Sequence, residues 1–359
     1  MQKKRIYNFY CSATGNTKKI TGAVSAGITA AIKSNITNRS INDSPYGFND
    51  TKVTEINFTK PAARETTYRF TENDLVIIGA PTYAGKLPNK ILPDFQTKLL
   101  GYNTPAIAIV TYGNRSYDNS LAELTATLKN NGFRVIAAAA FPCRHAFSDK
   151  LAGGRPNQDD LQKASAFGQQ ALERILAARW ENSLYGIKAG GNPISFPQVI
   201  VPGDAGAAYY VPKGRDGLPA KFLKAKPKTD VDKCSRCGKC IEVCPMNSVG
   251  KLIDTENMAN NPCTAEKADT TITGSQSKTS EKTGPAITGP QHNASAYMHS
   301  DNKKIIDFSA ITGICIKCQA CIRSCPEGAK YFDDPAFLSH VAMLEENYTA
   351  PKEAEFFLC

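Results

Sequence analysis

The sequence of 359 residues contains little tryptophan and little histidine, with one and four residues respectively. None of the histidines shows a spacing typical of a metal site, and no acid, base or nucleophile stands out as a catalytic group. There is no uninterrupted apolar run of about eighteen residues, which argues against a membrane span. Neither G-x-x-x-x-G-K-[ST] nor G-x-G-x-x-G occurs, so the two common nucleotide-binding motifs are absent.

The N-terminal residues also lack the apolar segment of a secretory signal, because residues 1–5 are mainly polar and lead into a mixed segment. We therefore expect a reducing cytoplasm, in which the twelve cysteines do not form disulfides. The formal net charge is +10. No recognition helix or aromatic-interleaved basic strand accompanies this charge, so we expect no nucleic-acid partner.

Two cysteine runs share the pattern C-x2-C-x2-C-x3-C-P. The first run is Cys234, Cys237, Cys240 and Cys244, and the second is Cys315, Cys318, Cys321 and Cys325. This spacing is typical of iron-sulfur ligation, in which three thiolates bind one cluster and the fourth, before the proline, binds the other. Zinc is the weaker alternative, because a tetrahedral site leaves the third cysteine and the proline without a role.

We therefore expect two 4Fe-4S clusters with crossed ligands. Cluster 1 is assigned to Cys234, Cys237, Cys240 and Cys325, and cluster 2 to Cys244, Cys315, Cys318 and Cys321. The runs resemble those of bacterial two-cluster ferredoxins, which implies a small α+β domain, predicted here at residues 230–340. Residues 250–305 form an insertion that we interpret as a linker rather than a docking loop. Four further cysteines remain unassigned: Cys11, Cys143, Cys263 and Cys359.

A hydroxyl-rich loop separates a predicted strand at residues 6–10 from a predicted helix that begins at residue 18. The loop consists of Ser12, Ala13, Thr14, Gly15, Asn16 and Thr17. Hydroxyls, an amide and the free backbone N–H groups of a first helical turn favour a terminal phosphate as ligand. A helix cap without a ligand is the alternative.

Two further loops follow apolar segments that are typical of buried strands. One contains Pro81, Thr82, Tyr83, Ala84, Gly85 and Lys86, and the other contains Thr111, Tyr112, Gly113, Asn114 and Tyr117. Together with the hydroxyl-rich loop, these motifs resemble the FMN-binding loops of flavodoxins. The resemblance implies a flavodoxin-like, doubly wound parallel α/β sheet in the order 2-1-3-4-5 over residues 1–180, with FMN at the carboxyl ends of strands 1, 3 and 4.

By this resemblance, Tyr83 and Tyr117 are expected to stack on the flavin ring, with Tyr112 in reserve. The alternative is that one of these tyrosines only anchors its loop. We call the loop at residues 81–86 the first ring loop and the loop at residues 111–117 the second ring loop. Lys86 and Arg115 lie in these loops, where ordinary flavodoxins carry acidic residues, so we expect them to raise the flavin reduction potential. His145 is interpreted as a core or loop residue.

A connector rich in Gly and Pro at residues 181–229 and a C-terminal tail at residues 341–359 complete the predicted organisation. The whole chain resembles the flavodoxin-ferredoxin fusion proteins of anaerobic bacteria. This implies an electron-transfer flavo-iron-sulfur protein that couples one- and two-electron redox partners. An FMN-dependent oxidoreductase acting on NAD(P)H or a small organic substrate, with the clusters as relay, is the alternative.

Basic residues gather around the first cysteine run: Lys221, Lys224, Lys226, Lys228, Lys233, Arg236 and Lys239. This charge predicts an acidic redox protein as partner, such as a ferredoxin or a ferredoxin-dependent enzyme of the hydrogenase type. A solvated surface without a partner is the alternative. We also expect a homodimer.

Overall fold

A six-stranded sheet forms the centre of the N-terminal domain in the computed structural model, which describes residues 4–37, 52–184, 199–254 and 304–359. In spatial order the strands are β12 (Glu355–Leu358), β7 (Phe133–Pro142), β6 (Thr104–Tyr112), β4 (Asp74–Pro81), β1 (Arg5–Tyr10) and β2 (Val53–Asn57). All neighbours run parallel except β12 and β7. Without β12 the order is β2-β1-β4-β6-β7. When these five parallel strands are counted 1 to 5 along the chain, the order is 2-1-3-4-5, which confirms the predicted flavodoxin-like sheet.

Helices cover both faces of this sheet, so its central strands are apolar on both sides. In β4, Val76 and Ile78 enter one core while Leu75 and Ile77 enter the other. The first core includes side chains of α3 (Leu92–Lys98) and α4 (Ser120–Asn130), and the second includes those of α1 (Asn16–Thr37) and α5 (Gln158–Leu184). α2 (Pro61–Glu65) and the short parallel pair β3 (Tyr68–Phe70) and β5 (Leu99–Gly101) complete the domain.

The cysteine-rich part forms the predicted small α+β unit and is built from two similar halves. The first half is β8 (Lys228–Thr229), α6 (Lys239–Glu242) and β9 (Val249–Asp254), and the second is β10 (Lys304–Ile311), α7 (Ala320–Arg323) and β11 (Lys330–Tyr331). β8 pairs antiparallel with β11, and β9 pairs antiparallel with β10. Because each strand pairs with the opposite half, the two halves cannot separate without breaking both ladders. Most of the predicted insertion, including Cys263, lies outside the described residues.

The segment after this unit returns to the N-terminal sheet. α8 (Pro335–Asn347) crosses the boundary predicted at residue 340, and β12 lies within the predicted tail. β12 pairs with β7 along the edge of the sheet, and the ring of Phe356 stacks on that of Phe167 with centroids 5.3 Å apart. The last described residues therefore complete the sheet formed by the first ones. Among the described residues, no helix is long and apolar enough to cross a membrane.

Replacing Phe356 tests whether β12 supports the N-terminal domain. Phe356→Ala removes the ring that contacts Phe167 and Phe141, so we expect the free energy of unfolding to fall by about 2 kcal/mol. Denaturant unfolding measures the change. Tyr102→Ala serves as control, because Tyr102 is 70% exposed and its loss should cost about 0.5 kcal/mol or less. Equal losses in the two variants would show that the Phe356 ring adds nothing to stability.

Candidate functional site

Two cavities in the cysteine-rich unit are each lined by four cysteines. The cavity with the more buried cysteines contains Cys244, Cys315, Cys318 and Cys321, which we call the inner quartet. The other contains Cys234, Cys237, Cys240 and Cys325, which we call the outer quartet, because Cys237 is exposed. Each quartet takes three cysteines from one run and the fourth from the other. The structure thus brings together the same two groups of cysteines that the spacing assigns to cluster 2 and cluster 1.

The loops that carry the quartets have matching backbone conformations. The second and fourth residues after the first cysteine of each run have positive φ: Arg236 (+55) and Gly238 (+76) in one run, Lys317 (+57) and Gln319 (+63) in the other. The fourth sulfur of each run accepts a backbone N–H, from Ser248 to Cys244 at 3.3 Å and from Ala329 to Cys325 at 3.2 Å. These donors favour a thiolate at both positions.

Without a bound cluster, buried thiols of the inner quartet lose their protons only at high pH. Burial raises the pKa of Cys321 to about 12, and burial also raises the pKa of Cys318 and Cys315. A bound cation replaces such protons, so cluster binding and proton release are coupled. Among the described residues, no group of three or more His, Cys, Asp or Glu side chains is placed to hold a single metal ion. The quartets surround cavities, as ligands of a multi-atom cluster must.

The hydroxyl-rich loop lies between β1 and the N-terminus of α1, at the carboxyl edge of the sheet. Gly15 has φ +90, and a Cβ placed there would meet no atom within 4 Å. The backbone at this position therefore faces open space, which suits the close approach of an anion. The first N–H groups of a helix lack partners within that helix, and α1 has 22 residues, so its N-terminus favours negative charge in this space.

Hydrogen bonds fix the hydroxyl-rich loop to its neighbours. Ser12 N donates to Thr59 Oγ1 at 2.8 Å, the Thr17 and Thr111 hydroxyls are 2.8 Å apart, and Asn16 Nδ2 donates to Arg144 O at 3.1 Å. The loop is thus held from three sides. Ala13 and Thr14, between these anchors, are half-buried.

The first ring loop makes a tight turn from Tyr83 to Lys86. Tyr83 N donates to Lys86 O at 2.7 Å, and both Ala84 and Gly85 have positive φ. The buried Lys86 ammonium donates to Ala205 O and Ala207 O at 2.9 and 2.7 Å and pairs with Glu123 at 3.0 Å. Its charge is therefore offset by a carboxylate and faces the connector. That Lys86 raises the flavin reduction potential stays a prediction.

The base of this loop is held to the second ring loop. Pro81 ends β4, and Thr82 N donates to Thr111 O at 2.7 Å. The Thr82 hydroxyl lies 2.6 Å from that of Ser120, the first residue of α4. The two ring loops are therefore joined where they leave the sheet.

The second ring loop is held by the C-terminal segment, which the sequence interpretation did not foresee. Tyr117 OH donates to Glu355 Oε2 at 2.7 Å. Asn114 Nδ2 donates to Tyr348 O at 2.6 Å and to Ala350 O at 3.0 Å, while its buried Oδ1 has no partner among the described residues. This unsatisfied acceptor in a ring loop is available to an N–H group of a bound heterocycle.

The three tyrosines expected near a flavin occupy different surroundings. Tyr112 and Tyr117 are buried in the core with ring centroids 5.5 Å apart, as in the alternative of loop anchors. Tyr83 keeps part of its surface exposed, but its hydroxyl is enclosed. Burial raises its pKa, and the nearby thiols of Cys318 and Cys315 raise it further. The Tyr83 hydroxyl, in the first ring loop, therefore lies near the inner quartet.

His145, Arg115 and three cysteines outside the quartets have packing or ion-pair contacts within the protein. The His145 ring packs against Gly113: a Cβ added to Gly113 would lie 2.3 Å from Cδ2 of His145. Burial lowers the pKa of His145 to about 4, so its ring is neutral near pH 7. Arg115 pairs with Asp118. Burial also raises the pKa of the unassigned thiols Cys11, Cys143 and Cys359, which makes them poor nucleophiles.

A buried arginine joins the inner quartet to the N-terminal domain. Arg64, in α2, donates from Nη2 to Pro245 O at 2.8 Å and from Nη1 to Thr59 O at 2.5 Å, and pairs with Asp94 at 2.8 Å. Pro245 follows the quartet ligand Cys244, and Thr59 supports the hydroxyl-rich loop. The position of the inner quartet is therefore tied directly to that loop.

A second contact fixes the other run. Arg323, in α7, pairs with Asp149 at 2.7 Å and donates to Ala146 O at 3.2 Å. Both partners lie in the loop after β7 that also supplies Arg144 O to Asn16. Together, Arg64 and Arg323 hold the inner quartet at the carboxyl edge of the sheet. Neither arginine carries a sequence signal that would have identified this role.

Comparison with known proteins agrees with this division of the chain. Residues 227–249 and residues 312–328 each match a family described as a 4Fe-4S binding domain. No curated protein matches the chain.

The chain is also similar to solved structures. A flavodoxin from the domain Archaea is 14% identical, covers 48% of this chain and 99% of its own, and has a TM-score of 0.30. Flavodoxin 2 from Bacillus cereus is 15% identical over 47% of this chain and 99% of its own, with a TM-score of 0.31. The Giardia intestinalis flavodiiron protein is 15% identical over 50% of this chain and 38% of its own, with a TM-score of 0.28.

Replacing Arg64 tests the contact between the N-terminal domain and the cysteine-rich unit, which we call the junction. Arg64→Met leaves Asp94 and two buried carbonyls without their donor, so we expect a loss of about 3 kcal/mol in the free energy of unfolding and faster proteolysis between the two parts of the chain. Denaturant unfolding and limited proteolysis measure these effects. The matched control is Arg69→Met, because Arg69 is exposed and its removal should change stability by about 0.5 kcal/mol at most. Unchanged stability in Arg64→Met would contradict the assigned junction.

Proposed function

We propose that this chain, a flavodoxin-like domain fused to a ferredoxin-type 4Fe-4S unit, transfers electrons between FMN and two 4Fe-4S clusters. It would thereby couple two-electron and one-electron redox partners. The observation that carries the proposal is the docking of the inner quartet beside the three loops at the carboxyl edge of the sheet. Flavin exchanges one or two electrons and iron-sulfur clusters exchange one, so their proximity within a single chain suits such coupling.

The residues present fit FMN. The open space at Gly15 and the N-terminus of α1 suit the phosphate, with Ser12, Thr14 and Thr17 supplying hydroxyls. The orphaned Asn114 Oδ1 supplies a hydrogen-bond acceptor in a ring loop. We assign the ring contacts to the two ring loops and give Tyr83 the main stacking role, because Tyr112 and Tyr117 are packed in the core.

The chain's own contribution is positioning. Arg64 and Arg323 hold the inner quartet at the sheet edge, while the connector holds Lys86 and the C-terminal segment holds Asn114. These contacts fix the inner quartet and the two ring loops in place at the same edge of the sheet. The arrangement needs no second chain to bring the sites together; the homodimer stays a prediction.

The outer quartet provides the exchange surface for a protein partner. Cys237 and the neighbouring Arg236 and Lys239 are exposed. We therefore propose an acidic redox protein as partner, steered by charge to this face. A reducing cytoplasm is the compartment we propose, because both quartets require free thiols.

The first test is an anaerobic visible spectrum of the full-length protein with iron and flavin quantified. We expect one flavin and about eight irons per chain, bleached by dithionite but not by NADH or NADPH. Absence of flavin after reconstitution would overturn the FMN assignment. Rapid bleaching by a nicotinamide nucleotide would replace the carrier function by that of an FMN-dependent oxidoreductase.

Paired cysteine substitutions test the crossed ligand sets. Cys237→Ser with Cys325→Ser alters one quartet only, so iron should fall from about eight to about four per chain. Cys318→Ser with Cys325→Ser alters both quartets and should leave almost none. Iron analysis after anaerobic reconstitution gives the counts, with Cys359→Ser as a control that lies in neither quartet. The opposite pattern in the two double variants would show that each run binds its own cluster.

A further inference from the structure

The two halves of the cysteine-rich unit differ at one equivalent position. Val249 is the fifth residue after Cys244, and Lys330 is the fifth after Cys325. Each begins the last strand of its half, and each lines the cavity of one quartet, Val249 the inner and Lys330 the outer. One half thus carries a buried apolar side chain where the other carries a cation.

Lys330 is only 3% exposed. Its ammonium donates to Thr229 Oγ1 at 2.6 Å and to Phe308 O at 2.7 Å, both of which are neutral. Within the described part of the chain, no carboxylate forms an ion pair with it. A buried cation is costly unless a negative charge lies near it.

The ligand sulfurs are the candidates for that negative charge. Lys330 lines the same cavity as the four cysteines of the outer quartet, and no Asp or Glu is among the residues that line it. Lys330 does not line the cavity of the inner quartet.

We infer that Lys330 is a buried counter-charge that raises the reduction potential of the cluster held by the outer quartet. This inference rests on the proposed two-cluster function. Reduction adds one electron to a cluster and breaks no bond, so a fixed positive charge stabilises the reduced form. The charge of Lys330 would thereby stabilise an added electron at the outer quartet, next to the exchange surface.

Lys330→Gln tests this assignment, because the amide keeps a donor for the two oxygens and removes the charge. The full-length holoprotein is titrated anaerobically with dithionite, and the paramagnetically shifted β-protons of the ligand cysteines report each cluster separately. We expect the outer cluster to become about tenfold harder to reduce, a fall of about 59 mV for one electron, with a smaller change at the inner cluster. Lys330→Arg should retain the wild-type order of potentials.

Lys239→Gln is the matched control, because Lys239 neighbours Cys240 but is exposed, and solvent and salt screen its charge. Its potentials should stay near those of the wild type. Should Lys330→Gln fail to assemble clusters, Lys330→Val, which copies the other half of the unit, replaces it in the same titration. Equal shifts at both clusters, or a shift no larger than in Lys239→Gln, overturns the inference. Wild-type protein that binds no iron overturns the proposed function itself.

Discussion

A buried guanidinium must find acceptors for its N–H groups, and much of the arrangement of this chain depends on how Arg64 meets that requirement. Its partners come from three places: the carbonyl beside the hydroxyl-rich loop, the carboxylate of Asp94 in α3, and the carbonyl after Cys244. Desolvating an arginine without these partners would cost several kcal/mol. Two of these partners lie in the N-terminal domain and one lies in the cysteine-rich unit, so the two domains are joined by an interaction that neither completes alone.

Two other segments wrap around the same edge. In the connector, the carbonyl oxygens of Ala205 and Ala207 accept hydrogen bonds from the Lys86 ammonium. In the C-terminal segment, the carbonyl oxygens of Tyr348 and Ala350 accept hydrogen bonds from the Asn114 amide. Both ring loops thus use atoms supplied by distant parts of the chain. A flavodoxin-like domain cut out at residue 180 would leave these donors without partners, so the two parts of this protein depend on each other more than a linear series of domains would.

Local patterns were sufficient to predict the parts of the structure that depend on local chemistry. The cysteine spacing predicted both the grouping into quartets and the 4Fe-4S assignment of the region, because a cluster imposes its geometry on a short loop. The apolar segment before Pro81 predicted a buried strand, because buried parallel strands need apolar residues on both faces. The α/β sheet itself followed from the resemblance of the three loops to those of flavodoxins.

Long-range partners could not be predicted in this way. Nothing in the sequence around Lys86 indicates that its ammonium pairs with Glu123 and donates hydrogen bonds to the connector. The sequence around Arg64 does not distinguish it from a surface arginine. The short segment at Phe356 has no pattern that distinguishes an edge strand from a tail, because its pairing depends on β7, more than two hundred positions earlier. The difference between Lys330 and Val249 is visible in the sequence, because aligning the two cysteine runs places these residues at equivalent positions.

The position of β12 has a consequence for how the protein is made. Chains emerge from the ribosome N-terminus first, so β7 and the rest of the N-terminal sheet are synthesised long before β12. Until then β7 presents an open edge, and unpaired sheet edges promote association with other chains. Both cysteine runs lie between the two strands, so the edge is closed only after both runs have left the ribosome. Assembly of the two cysteine quartets and protection of the sheet edge therefore fall at the same late stage of biosynthesis.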